Sequence, residues 1–311
     1  MSRSLKVAVV VSIATVALLC AMIEHGRTIR ATAPLRALPS TARAVLRIDT
    51  EALRRTAAAE VLLGTFVVRE QLTEIEKTCG IAPLEALSDI TLWVQGPDDQ
   101  PFQSVGLMLK GRSANARRLA QCHRLLVEAR GGSVVRLDAP IGPLLTSRDR
   151  RSAIALLDDR TVVTGSVQTV AEAMGVAHGV VPALVDRASF AALWGRVSLH
   201  SAVAAVIEPP EDWNEALESL GRRDAERSAL EGVRAFALAI RSGSKGTVEV
   251  HLDVANPEAI HGDTIEIEAW LHDPPDSVEP PWADVLRTGR VREEGQTIQI
   301  NLDVSSLAKA P

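Results

Sequence analysis

The chain has no tyrosine and only nine aromatic residues, four Phe and five Trp, in 311 positions. Exposed aromatic stacking is what most sugar-binding platforms and single-strand-binding grooves rely on, so this scarcity counts against both. Lysine is scarce too: positions 6, 77, 110, 245 and 309 supply five of the 34 basic residues. The first 36 residues hold Arg3, Lys6, Arg27, Arg30 and Arg36 against Glu24, a net of +4, so the whole-chain charge of −5 leaves −9 on the rest. A part that acidic lacks the clustered positive charge that nucleic acid requires, and no nucleic-acid partner is expected. Cys20, Cys79 and Cys122 form no C-x-x-C pair, which removes the usual zinc and thioredoxin-type readings. There is no G-x-S-x-G, and Ser242-Gly243-Ser244-Lys245-Gly246 lacks the spacing of a phosphate-binding loop.

One long apolar run is present. Val7 to Ile23, VAVVVSIATVALLCAMI, carries no charge, and a helix of that length just spans a thin hydrocarbon core. For cleavage, the only small pair behind it is Ala31 and Ala33, followed by Pro34, and Leu19 before Cys20 does not suit a lipoprotein site. A retained signal anchor is therefore favoured over a cleaved peptide. With the amino terminus inside, residues 7–23 are the membrane contact in a bacterial inner membrane and the carboxyl-terminal part is periplasmic. In that oxidising compartment, Cys79 on the helical stripe of Val68, Leu72 and Ile75 and Cys122 on that of Leu119 and Leu126 read as a disulfide. Two separately buried thiols are the alternative.

The remainder reads as α+β, two passes of antiparallel sheet packed with helices, over 37–180 and 181–311 after an anchor and linker at 1–36. In the first pass, AVLRID (44–49) is a strand whose Asp49 or Thr50 caps the next helix. A second helix runs over about 66–78. Strands at 89–95 and 103–110 follow, then a helix capped by Ser113 and stopped by Gly131-Gly132. Short strands at 133–138, 152–157 and 161–164 and a helix from Ser166 to about His178 complete it. The second pass has strands at 201–208, 233–240, 247–254, 290–293 and 297–304, and a helical stretch near 211–230. A further helix begins at Asn256-Pro257-Glu258. The alternating 264–268 is assigned to that helix through the stripe Ile260, Thr264, Ile267, Leu271.

A common shift of 143 relates 104 to 247, 113 to 256 and 154 to 297, the signature of an internal duplication. Under it Cys122 maps to Ile265, so the second pass has no matching bridge. In TVEVHLDV (247–254) Val248, Val250, Leu252 and Val254 face one way and Glu249, His251 and Asp253 the other, so the sheets are half buried with a polar face left open.

The short anchor, Leu38-Pro39 before AVLRID, Cys79-Gly80 with Cys122, and LLDDRTVVTG (156–165) resemble a group of uncharacterised membrane-anchored extracytoplasmic proteins of myxobacteria and related bacteria. These are similar to duplicated α+β families of unknown function. The resemblance implies fold and location, and no activity.

Several constellations invite chemistry and are better read as structure. His251 with Asp253, His261 with Asp263 and His272 with Asp273 recur, but only the first pair shares a strand face, so no metal site is assigned. Ser306 and Lys309 match S-x-x-K without its companion motifs. Asp158-Asp159 fits a turn. Trp213, Trp270 and Trp282 fit core packing, and PPDSVEPP (274–281) fits a stiff connector. No catalytic, cofactor-binding or metal residue is expected. The expected function is a non-catalytic binding module in the cell envelope with an envelope protein as partner. The alternatives are an envelope hydrolase and a hydrophobic-ligand carrier, each needing a site assembled from distant residues.

Overall fold

The computed structural model describes residues 34–56, 66–96, 103–198, 201–209, 233–241, 246–258, 260–274 and 280–305. Residues 7–23, Trp213, the stretch 211–230, Lys245, Ser306 and Lys309 lie outside them. Among the described residues no helix is long and apolar enough to cross a membrane.

Period-two alternation of apolar and polar residues is satisfied by a pleated sheet. Among the described residues it builds one antiparallel sheet of twelve strands. They are β1 (Ala42–Asp49), β2 (Leu87–Gln95), β3 (Ser104–Gly111), β4 (Val134–Ala139), β5 (Gly142–Ser147), β6 (Ala153–Leu156), β7 (Thr161–Gly165), β8 (Ser201–Ile207), β9 (Val233–Arg241), β10 (Thr247–Val254), β11 (Arg290–Glu294) and β12 (Thr297–Asp303). Their order is β11-β12-β10-β9-β8-β1-β2-β3-β7-β6-β5-β4. The α-helices among the described residues are α1 (Thr50–Leu53), α2 (Phe66–Cys79), α3 (Pro83–Ala86), α4 (Ala116–Ala129), α5 (Val167–Ala177), α6 (Ala188–Ser198), α7 (Ile260–His272) and α8 (Pro280–Arg287).

The two sides of this sheet mirror each other about the β1–β8 pair. Outward from it run β1-β2-β3-β7-β6 on one side and β8-β9-β10-β12-β11 on the other. Register agrees as well as order. Val45 pairs with Trp93, Trp93 with Gly106 and Gly106 with Gly165. On the other side Ala204 pairs with Ala239, Ala239 with Glu249 and Glu249 with Asn301. At the centre Leu46 pairs with Ala205. A shift of 143 carries β3 onto β10 and all but one residue of α4 onto α7. It also carries 154 to 297, but those residues lie in β6 and β12, and by sheet position β12 answers to β7. The shift changes because the β4–β5 hairpin on one side is replaced by α8 on the other.

One face is covered by helices along its length. Val250, Leu252, Val254, Ile298 and Ile300 pack under Ile260, Ile267, Trp270 and Leu271 of α7 and Val285 and Leu286 of α8. Ile154 and Val162 pack under Leu119 and Cys122 of α4. Among the described residues the opposite face is covered only in part. Val45, Trp93, Met108, Val206 and Ala237 lie in one buried cluster with the 34–38 lead-in, α5, and Phe190, Leu193, Trp194 and Val197 of α6. The sheet and this cluster run across the 180/181 boundary.

Local rules place the ends. Asp49 caps α1, accepting from the amides of Glu51 and Ala52. Ser166 caps α5. Three expectations are corrected. The cap of α4 is Asn115, not Ser113, with the Arg118 amide donating to its Oδ1 at 2.9 Å; Ser113 and Ala114 are instead tied to the Ala86 carbonyl. Asn256-Pro257-Glu258 forms a turn closed by the Glu258 amide on Asn256 Oδ1, and α7 begins only at Ile260. Pro280-Pro281 does not extend the connector. It opens α8, where proline has no amide to lose.

Candidate functional site

Cys79, at the last turn of α2, and Cys122, in the first half of α4, are joined in a disulfide with their Cα atoms 5.0 Å apart. The geometry suits a bridge between two packed helices. Gly80, with φ +61, ends α2 just beyond it. On α7 the position corresponding to Cys122 is Ile265, 55% exposed.

The histidine–acid pairs separate in space. His261 bonds Glu293 through Nδ1 at 3.0 Å and is exposed, and His272 caps its own helix through the Glu268 carbonyl at 2.8 Å. Asp253 faces Arg234 at 3.5 Å. Among the described residues no group of three or more His, Cys, Asp and Glu is placed to hold a metal ion. Asp158 accepts from the Arg160 amide at 2.7 Å in the β6–β7 turn, as turn chemistry requires. Trp270 is buried in the core and Trp282 half-buried. Asp263, beside the α7 N-terminus, is pushed above the ordinary carboxylate range by partial burial and by Glu266.

What the structure does assemble is a polar patch on the outer face of β9, β10, β12 and β11, next to α6. Pairing aligns Ala237, His251, Gln299 and Arg292 in one row. Ala239, Glu249, Asn301 and Arg290 form the next. Arg241 is the organiser. It donates to Glu249 Oε2 at 2.6 Å, to Ser201 Oγ at 3.1 Å and to the Arg196 carbonyl at the end of α6 at 3.1 Å. Arg196 in turn reaches Glu294 on the edge strand, Nη1 to Oε2 3.8 Å. Because α6 packs on β8 and β9 while Glu294 is on β11, this ion pair spans the face of β10 and β12.

Beneath it lies His251, 4% exposed, with neither ring nitrogen hydrogen-bonded and Nε2 3.9 Å from Glu249 Oε2. Burial pushes its imidazole below the ordinary 6.5; Glu249 pulls it back, Arg196 pushes it down, and Glu294 and Arg241 add smaller opposed effects. A buried polar group without a partner costs about 1–3 kcal/mol, so this residue works against stability where it stands. The alternation in TVEVHLDV already set His251 on this face. It did not tell that the residue is covered. At this site α6 is the element the sequence reading missed, although Phe190, Leu193, Trp194 and Val197 form the i, i+3, i+4, i+7 stripe that marks a helix. Gly195 inside that stripe weakens the signal.

No family model matches the chain, and no curated protein does. Among solved structures it is similar to the Treponema protein TP0453. With crystal form III the TM-score is 0.51 at 11% identity, covering 90% of this chain and 97% of that one. Crystal forms I and IV give 0.48 and 0.49 at 10% identity, with 90% and 96% covered. At this identity the likeness of form III is one of fold alone.

Proposed function

We propose that this chain is a membrane-anchored extracytoplasmic module that binds an envelope component, without chemistry of its own, through the polar face of β10, β12 and β11. The observation that carries the reading is the character of that face. It presents Glu249, Asp253, Gln299, Asn301, Arg290 and Arg292 in rows beside α6, whereas the corresponding face of the first half is apolar and packed. Side chains of both signs, presented by a rigid sheet, favour a folded polar partner over a lipid tail. The compartment is supported by the Cys79–Cys122 bridge and by the uncharged run 7–23, which would hold the chain in a bacterial inner membrane with the rest in the periplasm. The matched order and register about the β1–β8 pair support the further reading that the two halves arose by internal duplication.

The test is crosslinking in intact cells, then purification through a carboxyl-terminal tag and mass spectrometry. The reading expects one recurrent partner at near-equal amount, lost from a chain carrying Arg290→Glu and Arg292→Glu. A partner retained by that double variant would move the interface elsewhere. No recurrent partner would sink the binding reading.

A further inference from the structure

His251 is covered by charge pairs instead of apolar side chains. From α6, Arg196 reaches over it to Glu294 of β11; from β9, Arg241 holds Glu249 beside it; across the sheet stand Ala237 and the neutral Gln299. The charged groups that act on its ring are Arg196 and Arg241 and the carboxylates Glu249 and Glu294, each carboxylate already engaged by an arginine; Arg292 and Asp253 share the face, and Asp253 is paired with Arg234. We propose that His251 is an acid-operated latch: protonating its imidazole draws Glu249 and Glu294 away from Arg241 and Arg196 and frees the carboxyl-terminal end of α6 from the outer sheet.

The direction follows from the geometry. A neutral imidazole carries no charge to draw either carboxylate, and Nε2 sits 3.9 Å from Glu249 Oε2 with no hydrogen bond. An imidazolium in the same place is a buried cation between two guanidinium groups, which is unfavourable until a carboxylate turns to it. Glu249 is near enough for a change of side-chain rotamer to achieve this. When it turns, Arg241 loses its ion pair, and Arg241 is also the group that ties the Arg196 carbonyl and Ser201 to the sheet. Glu294 is the other carboxylate within electrostatic reach, and its defection releases Arg196. The hold of Arg241 on the Arg196 carbonyl and the Arg196–Glu294 pair therefore both depend on one proton. The burial that lowers the imidazole's affinity for that proton keeps the latch closed at neutral pH and sets its opening on the acid side. The latch stands independently of which molecule binds the face.

Hydrogen exchange of the full chain, corrected for the pH dependence of intrinsic exchange, reads it directly. Between pH 7.5 and pH 5, amides in the last turn of α6 and in β10 should lose protection by about tenfold or more, while β1 and β2 keep theirs. In His251→Met the α6 and β10 amides should stay protected at both pH values. Unchanged protection in the wild type, or a response that persists in His251→Met, overturns the latch. Should His251→Met fail to fold, Glu294→Gln decides: α6 should exchange faster already at pH 7.5, and wild-type exchange there overturns the proposal.

Discussion

The two halves answer one structural problem with opposite materials. On the outer face of the first half, Trp93 on β2 lies across Gly106 on β3, and Met108 is buried beside them. In the second half, the corresponding positions are Ala239, Glu249 and His251. Where one half is large the other is small, and where one is apolar the other is charged. Under the other face, the first half pins α2 to α4 by a disulfide where the second leaves Ile265 exposed. The backbone pairing is the same in both. A shared sheet thus fixes where side chains point but not what they must be, and one half is built from apolar side chains where the other carries charge. Trp93 also shows how finished the apolar side is: its Nε1 donates to Gln95 Oε1 at 2.9 Å, Gln95 donates to Glu172 on α5, and the buried indole leaves nothing unpaired.

The largest effects should come from breaking the first half. A Cβ at Gly106 would sit 2.1 Å from the Trp93 ring, so Gly106→Ala should cost at least about 3 kcal/mol or abolish folding, measured by urea denaturation. Glu249→Ala, at the matched position, has an ion pair but no ring above it, and should cost clearly less. Next comes the bridge. Replacing Cys79 and Cys122 together by Ala should remove about 3–4 kcal/mol, whereas Ile265→Ala should stay within about 0.5 kcal/mol.

A subtler contrast is pH dependence. His251 and His123 are both held below 6.5 by burial, so the unfolded chain takes up protons before the folded one as pH falls through 6.5. Stability should therefore be level above that value and fall with acid below it. His251→Met, which gives the second half the residue of the first, should flatten the slope to the His123 share and hold or raise stability at neutral pH. The smallest effect belongs to α7. Asp263 is raised by burial and by Glu266, so its ionised form opposes folding at neutral pH, and Asp263→Asn should raise stability by a few tenths of a kcal/mol in a thermal melt at pH 7.

Local pattern was readable wherever a single element carries it. Alternation in 247–254 set the faces of β10, the apolar stripes brought Cys79 and Cys122 to the packed sides of their helices, and Asp49 and Ser166 cap as expected. Matching β3 to β10 and α4 to α7 by one shift was possible because both links run through a strand and the helix after it. The third equivalence failed because β6 and β7 are too short to be told apart without knowing which of them pairs with β3. β5 and α8 went unseen for a related reason. Gly142-Pro143 opens the one and Pro280-Pro281 the other, and such residues look like connections when only sequence neighbours are weighed.

By itself the sequence determined the α+β alternation, the acidic character of everything after residue 36, the placing of two cysteines on apolar stripes, and the direction in which His251 points. Those properties depend on residues within a turn or two of each other, where periodicity and capping act. Only the tertiary structure decided that the sheet is continuous through the β1–β8 pair and that α6 lies against the second half's outer face. It alone put His251 beneath an ion pair whose partners are almost a hundred positions apart in the chain. Burial is a property of what lies across a residue in space, and the groups that cover His251 come from α6, β9 and β11.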